Sequence, residues 1–289
     1  MKLKAILISA AALGAFGAVQ AQDLETIDNA PAGAFIEPVE GATIWPGPNG
    51  TVLFDNGPLV NGIGTGAGGA DESILQNISL GITLLGAGHQ LSAGNSVIED
   101  FEVPPGGWQI DEMVFFAYQT GSSTASTITG VGFQIWDGDP TDPTSSVIFG
   151  DLTTNALTDT AWSGIYRVTE DTTGTATNRP IMASTVAVNT VLEPGTYWVE
   201  WQSDGSLASG PWAPPITIDG ETTTGNALQN VGGSIAPLTD GSAGTPQGLP
   251  FIIVGQGAST QAVPTLSTFG LAALMLLVMG VAVVALRRG

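Results

Sequence analysis

Residues 127–136 read Thr127-Ile-Thr-Gly-Val-Gly-Phe-Gln-Ile-Trp136. Val131, Phe133 and Ile135 fall on one side of an extended chain, and Gly132, Gln134 and Trp136 on the other. That is the period of a half-buried strand. Asp137-Gly138-Asp139-Pro140 then stops it with turn-forming residues. The pattern recurs in both directions. Upstream lie Thr51–Asp55, Ser79–Leu85, Val97–Val103 and the long apolar run Trp108–Gln119, with Ala42–Trp45 as a further edge strand. Downstream lie Ser146–Gly150, Ala161–Glu170, Pro180–Thr190, Gly195–Gln202 and Leu249–Val254. Turn signals recur every 8–15 residues, and helical periodicity is confined to the two ends. The expected fold is all-β, an antiparallel two-sheet β-sandwich of jelly-roll or immunoglobulin-like type. Its core is expected over 96–255, after a Gly/Pro-rich N-terminal part at 22–95 and before a linker at 256–262. Residues 221–248 read as a long loop.

The charge is one-sided. All 26 acidic residues lie within 22–262, whereas four of the six basic ones lie at the ends and only Arg167 and Arg179 between them. Such a surface repels phosphate, so nucleic acid is excluded as a partner. Cysteine is absent, which removes disulfides, thiol catalysis and cysteine-ligated metal.

His89 is the only histidine, so a Ser-His-Asp triad would have to use it, and no Gly-x-Ser-x-Gly elbow accompanies it. Nor does the glycine-rich run Gly62–Gly69 fit a dinucleotide fingerprint. No catalytic residues are assigned. Carboxylates for glycoside hydrolysis are plentiful: Glu99, Asp100 and Glu102, Asp111 and Glu112, and Glu200. Asp137, Asp139 and Asp142 share a loop and are the candidate ligands for calcium, a hard cation that prefers oxygen; the same residues also make good turns. Trp136, Trp198 and Trp212 are the candidate platforms for stacking glycan. In strand 195–202, Trp198 lies on the same side as Glu200 and Gln202, and that side is exposed if Val199 and Trp201 face the core.

The two ends carry a different signal. Lys2 and Lys4 precede an apolar run, and Val19-Gln20-Ala21 places small residues where a signal peptidase reads them. Residues 1–21 are therefore expected to be a signal peptide, helical before cleavage after Ala21. At the other end, Phe269–Leu286 is uncharged and, at about 1.5 Å per residue, spans roughly 27 Å as a transmembrane helix. Arg287 and Arg288 follow it and hold the C-terminus inside.

Just before that helix stands Val263-Pro264-Thr265-Leu266-Ser267, then Phe269-Gly270. Motif, apolar run and arginines together resemble the IPTL-CTERM sorting signal of Gram-negative bacteria. In that family's pattern isoleucine stands at position 263, tryptophan at 269 and often glutamate at 268, where this chain has threonine. After signal peptidase has removed residues 1–21, the resemblance implies processing by an exosortase-type transpeptidase, with residues 263–289 as a disposable tail. Before cleavage the helix holds the chain in the inner membrane; afterwards the protein goes to the cell surface or the extracellular matrix. The expectation is an exported, non-catalytic structural or adhesive module that binds glycan or calcium, with extracellular polysaccharide as a partner. The alternatives are a tail retained as an anchor and a secreted carboxylate-dependent hydrolase.

Overall fold

The structure is a computed structural model that describes residues 22–75 and 80–257. The expected signal peptide, the expected sorting tail and the expected transmembrane helix lie outside those residues. Among the described residues no helix is long and apolar enough to cross a membrane.

The chain is all-β. Its strands are β1 Leu24–Thr26, β2 Val52–Asp55, β3 Asp71–Leu75, β4 Leu84–Gly88, β5 Asn95–Val103, β6 Trp108–Ala117, β7 Ile128–Trp136 and β8 Val147–Asp151. They continue as β9 Leu157–Thr169, β10 Pro180–Leu192, β11 Gly195–Gly205, β12 Trp212–Ala213, β13 Leu228–Val231, β14 Ser234–Pro237 and β15 Phe251–Gly257. One six-stranded sheet has the order β2-β15-β6-β10-β9-β3, and a second has β14-β13-β5-β11-β7-β8. A small third sheet, β1-β4-β12, lies beside them.

The two large sheets share one apolar core, an arrangement compatible with a β-sandwich. Ile110, Met113 and Phe115 of β6 and Phe251 and Ile253 of β15 meet Val131, Phe133 and Ile135 of β7 and Val199 and Trp201 of β11. Phe115 of the first sheet stacks on Trp201 of the second, with centroids 4.8 Å apart and planes at 15°. Such pairs add about 0.5–1.5 kcal/mol beyond the area they bury. The inward set of β7 is the one its alternation predicts.

Part of the first sheet is buried on both faces. Val114, Phe116, Ile181 and Ile252 form a second core on its outer face, under Trp45, Leu59 and Val60. This explains the almost unbroken apolar run of β6: a strand covered on both sides has no polar alternation.

Three features depart from the sequence reading. The sheets are not purely antiparallel, because edge strand β3 runs parallel to β9. A connection of some eighty residues separates these strands, so no hairpin dictates their direction. Residues 221–248 contain the hairpin β13–β14, which extends the second sheet through β5. Residues 22–95 supply β1 to β4 and so contribute to the small sheet and the first large sheet. Within β9, the register against β10 slips between Trp162 and Ile165, where Gly164 takes φ 84°. That bulge needs glycine.

Candidate functional site

Two of the three candidate tryptophans come together. Trp136 on β7 and Trp198 on β11 are register partners on the outer face of the second sheet. Glu200, two residues along β11 from Trp198, shares that face. Its carboxylate accepts from Ser96 Oγ at 2.5 Å, Gln134 Nε2 at 2.8 Å, Trp136 Nε1 at 3.0 Å and Asn230 Nδ2 at 3.1 Å. Glu200 is 1% exposed. Four neutral donors replace its water, which is how a carboxylate is buried without a cation. The exposure expected for Trp198 is not found. It is 8% exposed and packs with Ile98 and Leu228, so its ring is not free to stack on a sugar. Trp212 lies elsewhere, on β12, and packs against the outer-face core of the first sheet. Beside Gln202 on the second sheet, Gly132 lies so close to the Leu152 carbonyl that a Cβ would collide with it. Gln202 donates to that same carbonyl at 2.7 Å.

The aspartates of the 137–142 loop act on their own backbone. Asp137 accepts from the Ser146 amide, Asp139 from the amide and hydroxyl of Thr141, and Asp142 from those of Thr144. The Thr144 amide and hydroxyl hold the Asp142 carboxyl below its ordinary range. Asp151 repeats the device with Thr153 and Thr154. These are Asx turns. Among the described residues no three acidic or histidine side chains converge as a metal site would require.

Among the described residues the two basic side chains, Arg167 and Arg179, are internal. Arg167 is 1% exposed and donates to the carbonyls of Leu84 at 2.8 Å and Leu85 at 2.9 Å, and to the Ser73 hydroxyl at 3.0 Å. Burial lowers its pKa to about 10, so it stays charged at neutral pH. Arg179 pairs with Glu25 at 3.3 Å, both side chains being 3% exposed. Glu25 also accepts from Tyr118 and Thr120, and burial, reinforced by Glu25, raises the Tyr118 pKa. Neither arginine reaches the surface. The described surface therefore carries carboxylates without a lysine or arginine among them.

His89 is fully buried and shares a 3.0 Å hydrogen bond with Ser203. Among the described residues its Nδ1 has no hydrogen-bond partner, so no acid orients the ring as a triad requires. Burial, against a smaller opposing pull from the Ala87 backbone, lowers its pKa to about 4. Among the other candidate acids, Glu99 faces the core, where its carboxylate accepts from the Leu249 amide at 2.6 Å. Burial raises its pKa to about 8. Asp100 accepts from Asn226 at 2.9 Å.

One constellation escaped the sequence reading. Trp45, Asn49, Glu112, Thr158, Asp159 and Thr185 line an open groove of about 200 Å³ on the outer face of the first sheet. Two carboxylates separated by 47 positions line the same groove because β6 and β9 both flank β10. Nothing local in the sequence signals this.

The comparisons bear on the tail alone. No curated protein and no solved structure matches the chain. The IPTL-CTERM family model matches residues 261–288, covering the motif, the apolar run and both arginines. Such a motif implies recognition by an exosortase-type enzyme and export to the cell surface through a membrane intermediate. The chain therefore carries an IPTL-CTERM motif at its C-terminal end, in front of which stands an all-β body.

Proposed function

We propose that this protein is a non-catalytic surface or matrix module of a Gram-negative bacterium, delivered by a tail that is removed. The match at 261–288 carries the reading. In it, residues 1–21 direct export, Phe269–Leu286 hold the chain in the inner membrane, and an exosortase-type transpeptidase cuts near Pro264-Thr265-Leu266. The all-β body is then released to act as a structural or adhesive part of the cell surface or extracellular matrix.

The charge distribution supports this role. A surface of carboxylates with the cations buried stays soluble outside the cell, where salt screens self-repulsion. Polar side chains in the interior are mostly engaged in internal hydrogen bonds, as expected of a scaffold. Fractionation of producing cells tests delivery. Pro264→Ala is expected to shift the protein from the surface and medium to the membrane fraction. Equal surface delivery of that variant would contradict the reading.

A further inference from the structure

We propose that the groove lined by Trp45, Asn49, Glu112, Thr158, Asp159 and Thr185 binds a neutral, hydroxyl-rich polysaccharide. The inference rests on reading the body as a binding module rather than a catalyst.

Trp45 forms one wall and is held in place before any ligand arrives. Its backbone N–H donates to the Trp162 carbonyl at 2.7 Å. Its ring meets Phe116 edge-on, with centroids 5.9 Å apart at 83°. Pro46 and Pro48 then restrict the chain that follows. The indole remains partly exposed, and its N–H has no hydrogen-bond partner among the described residues. A fixed aromatic wall beside polar groups binds at low entropic cost.

The polar lining is uncommitted. Among the described residues, the side chains of Asn49, Glu112, Asp159 and Thr185 make no hydrogen bond or ion pair, whereas Thr158 donates to the Thr185 carbonyl at 3.0 Å. Elsewhere the carboxylates of Glu25, Glu72, Glu200 and Asp240 are filled by internal donors. The groove thus presents two carboxylate acceptors, an amide with both donor and acceptor, a hydroxyl and an indole donor around one apolar ring.

That set selects its ligand class. Two carboxylates repel an anionic polymer. They fall short of the oxygen shell a calcium ion takes, and an indole wall contributes nothing to one. A neutral sugar presents an apolar C–H face to the tryptophan and hydroxyl donors to the carboxylates. The groove's volume seats one ring and leaves the rest of the polymer over the surface.

The test uses the full-length chain as its host processes it, in affinity electrophoresis through gels containing neutral glucans, mannans or galactans, with a uronic acid polymer as the anionic control. Retardation by at least one neutral polymer and none by the anionic one is expected. Trp45→Ala should weaken binding roughly tenfold, the scale of one lost aromatic contact. Asp159→Asn lies on the exposed rim, leaves the core untouched and should weaken binding several-fold at an unchanged melting temperature. No retardation by any neutral polymer, or retardation unaffected by both variants, would overturn the groove assignment. Calcium alone quenching tryptophan fluorescence in the parent protein but not in Trp45→Ala, with no effect of sugar, would also overturn it. New reducing ends released from a retained polymer would instead contradict the non-catalytic reading, so the two failures are distinct.

Discussion

Arg179 Nε and Glu25 Oε2 lie 3.3 Å apart in the interior, each side chain 3% exposed. This pair ties β1 to the residue that leads into β10. Arg179 also donates to the Pro31 carbonyl at 2.6 Å, and Tyr118 and Thr120 complete the shell of Glu25. Removing one partner leaves the other charge buried and uncompensated. Glu25→Gln should cost about 3–5 kcal/mol in urea unfolding. Glu25→Gln combined with Arg179→Met should recover part of that loss.

The burial of Arg167 and Arg179 has a proteolytic consequence. Trypsin needs an accessible basic residue, and Arg179 is followed by Pro180, a bond it does not cleave. The folded body should survive trypsin intact between residues 22 and 257. After unfolding, that stretch should be cut once, after Arg167. Electrophoresis and mass spectrometry of native and urea-treated digests check both outcomes.

Glu99 makes stability depend on pH. Its ordinary pKa of 4.5 rises to about 8 on folding, chiefly through burial. Between those values the folded state holds a proton that the unfolded state has released. Stability therefore falls as pH rises through this window, by about 1.4 kcal/mol per pH unit from this group, and levels off above pH 8. Glu99→Gln should flatten that decline and stabilise the protein at pH 7–8. Urea midpoints from pH 5 to 9 measure it.

Glu200 is a structural acid in this account. Glu200→Leu strands the donors of Ser96, Gln134, Trp136 and Asn230. It should lower stability by several kcal/mol, at about 1–3 kcal/mol for each donor left unsatisfied. Trp136→Phe removes one donor to a charged acceptor and should cost about 1.5–3 kcal/mol. Neither change should alter retention by neutral polysaccharide if the Trp45 groove is the binding surface.

What the sequence made legible follows from where its signals are local. Alternation in β7 and the turn after it depend on neighbours, and both stand in the structure. The Asp137–Asp142 loop could be read either as turn or as cation site, because both use closely spaced carboxylates. Only the positions of Thr141, Thr144 and the Ser146 amide show how the oxygens are occupied. The exposure of Trp198 could not be read, since Ile98 and Leu228 cover it from β5 and β13. β13 itself was hidden in a Thr/Gly-rich stretch that reads as loop. The groove was invisible for the same reason: Trp45, Glu112 and Asp159 meet through sheet order, not spacing.

Mass spectrometry of the protein recovered from the cell surface or medium reads its C-terminus directly. The expected result is a chain that ends near Pro264-Thr265-Leu266 and lacks Phe269–Leu286. A surface protein that still ends at Gly289 would contradict it.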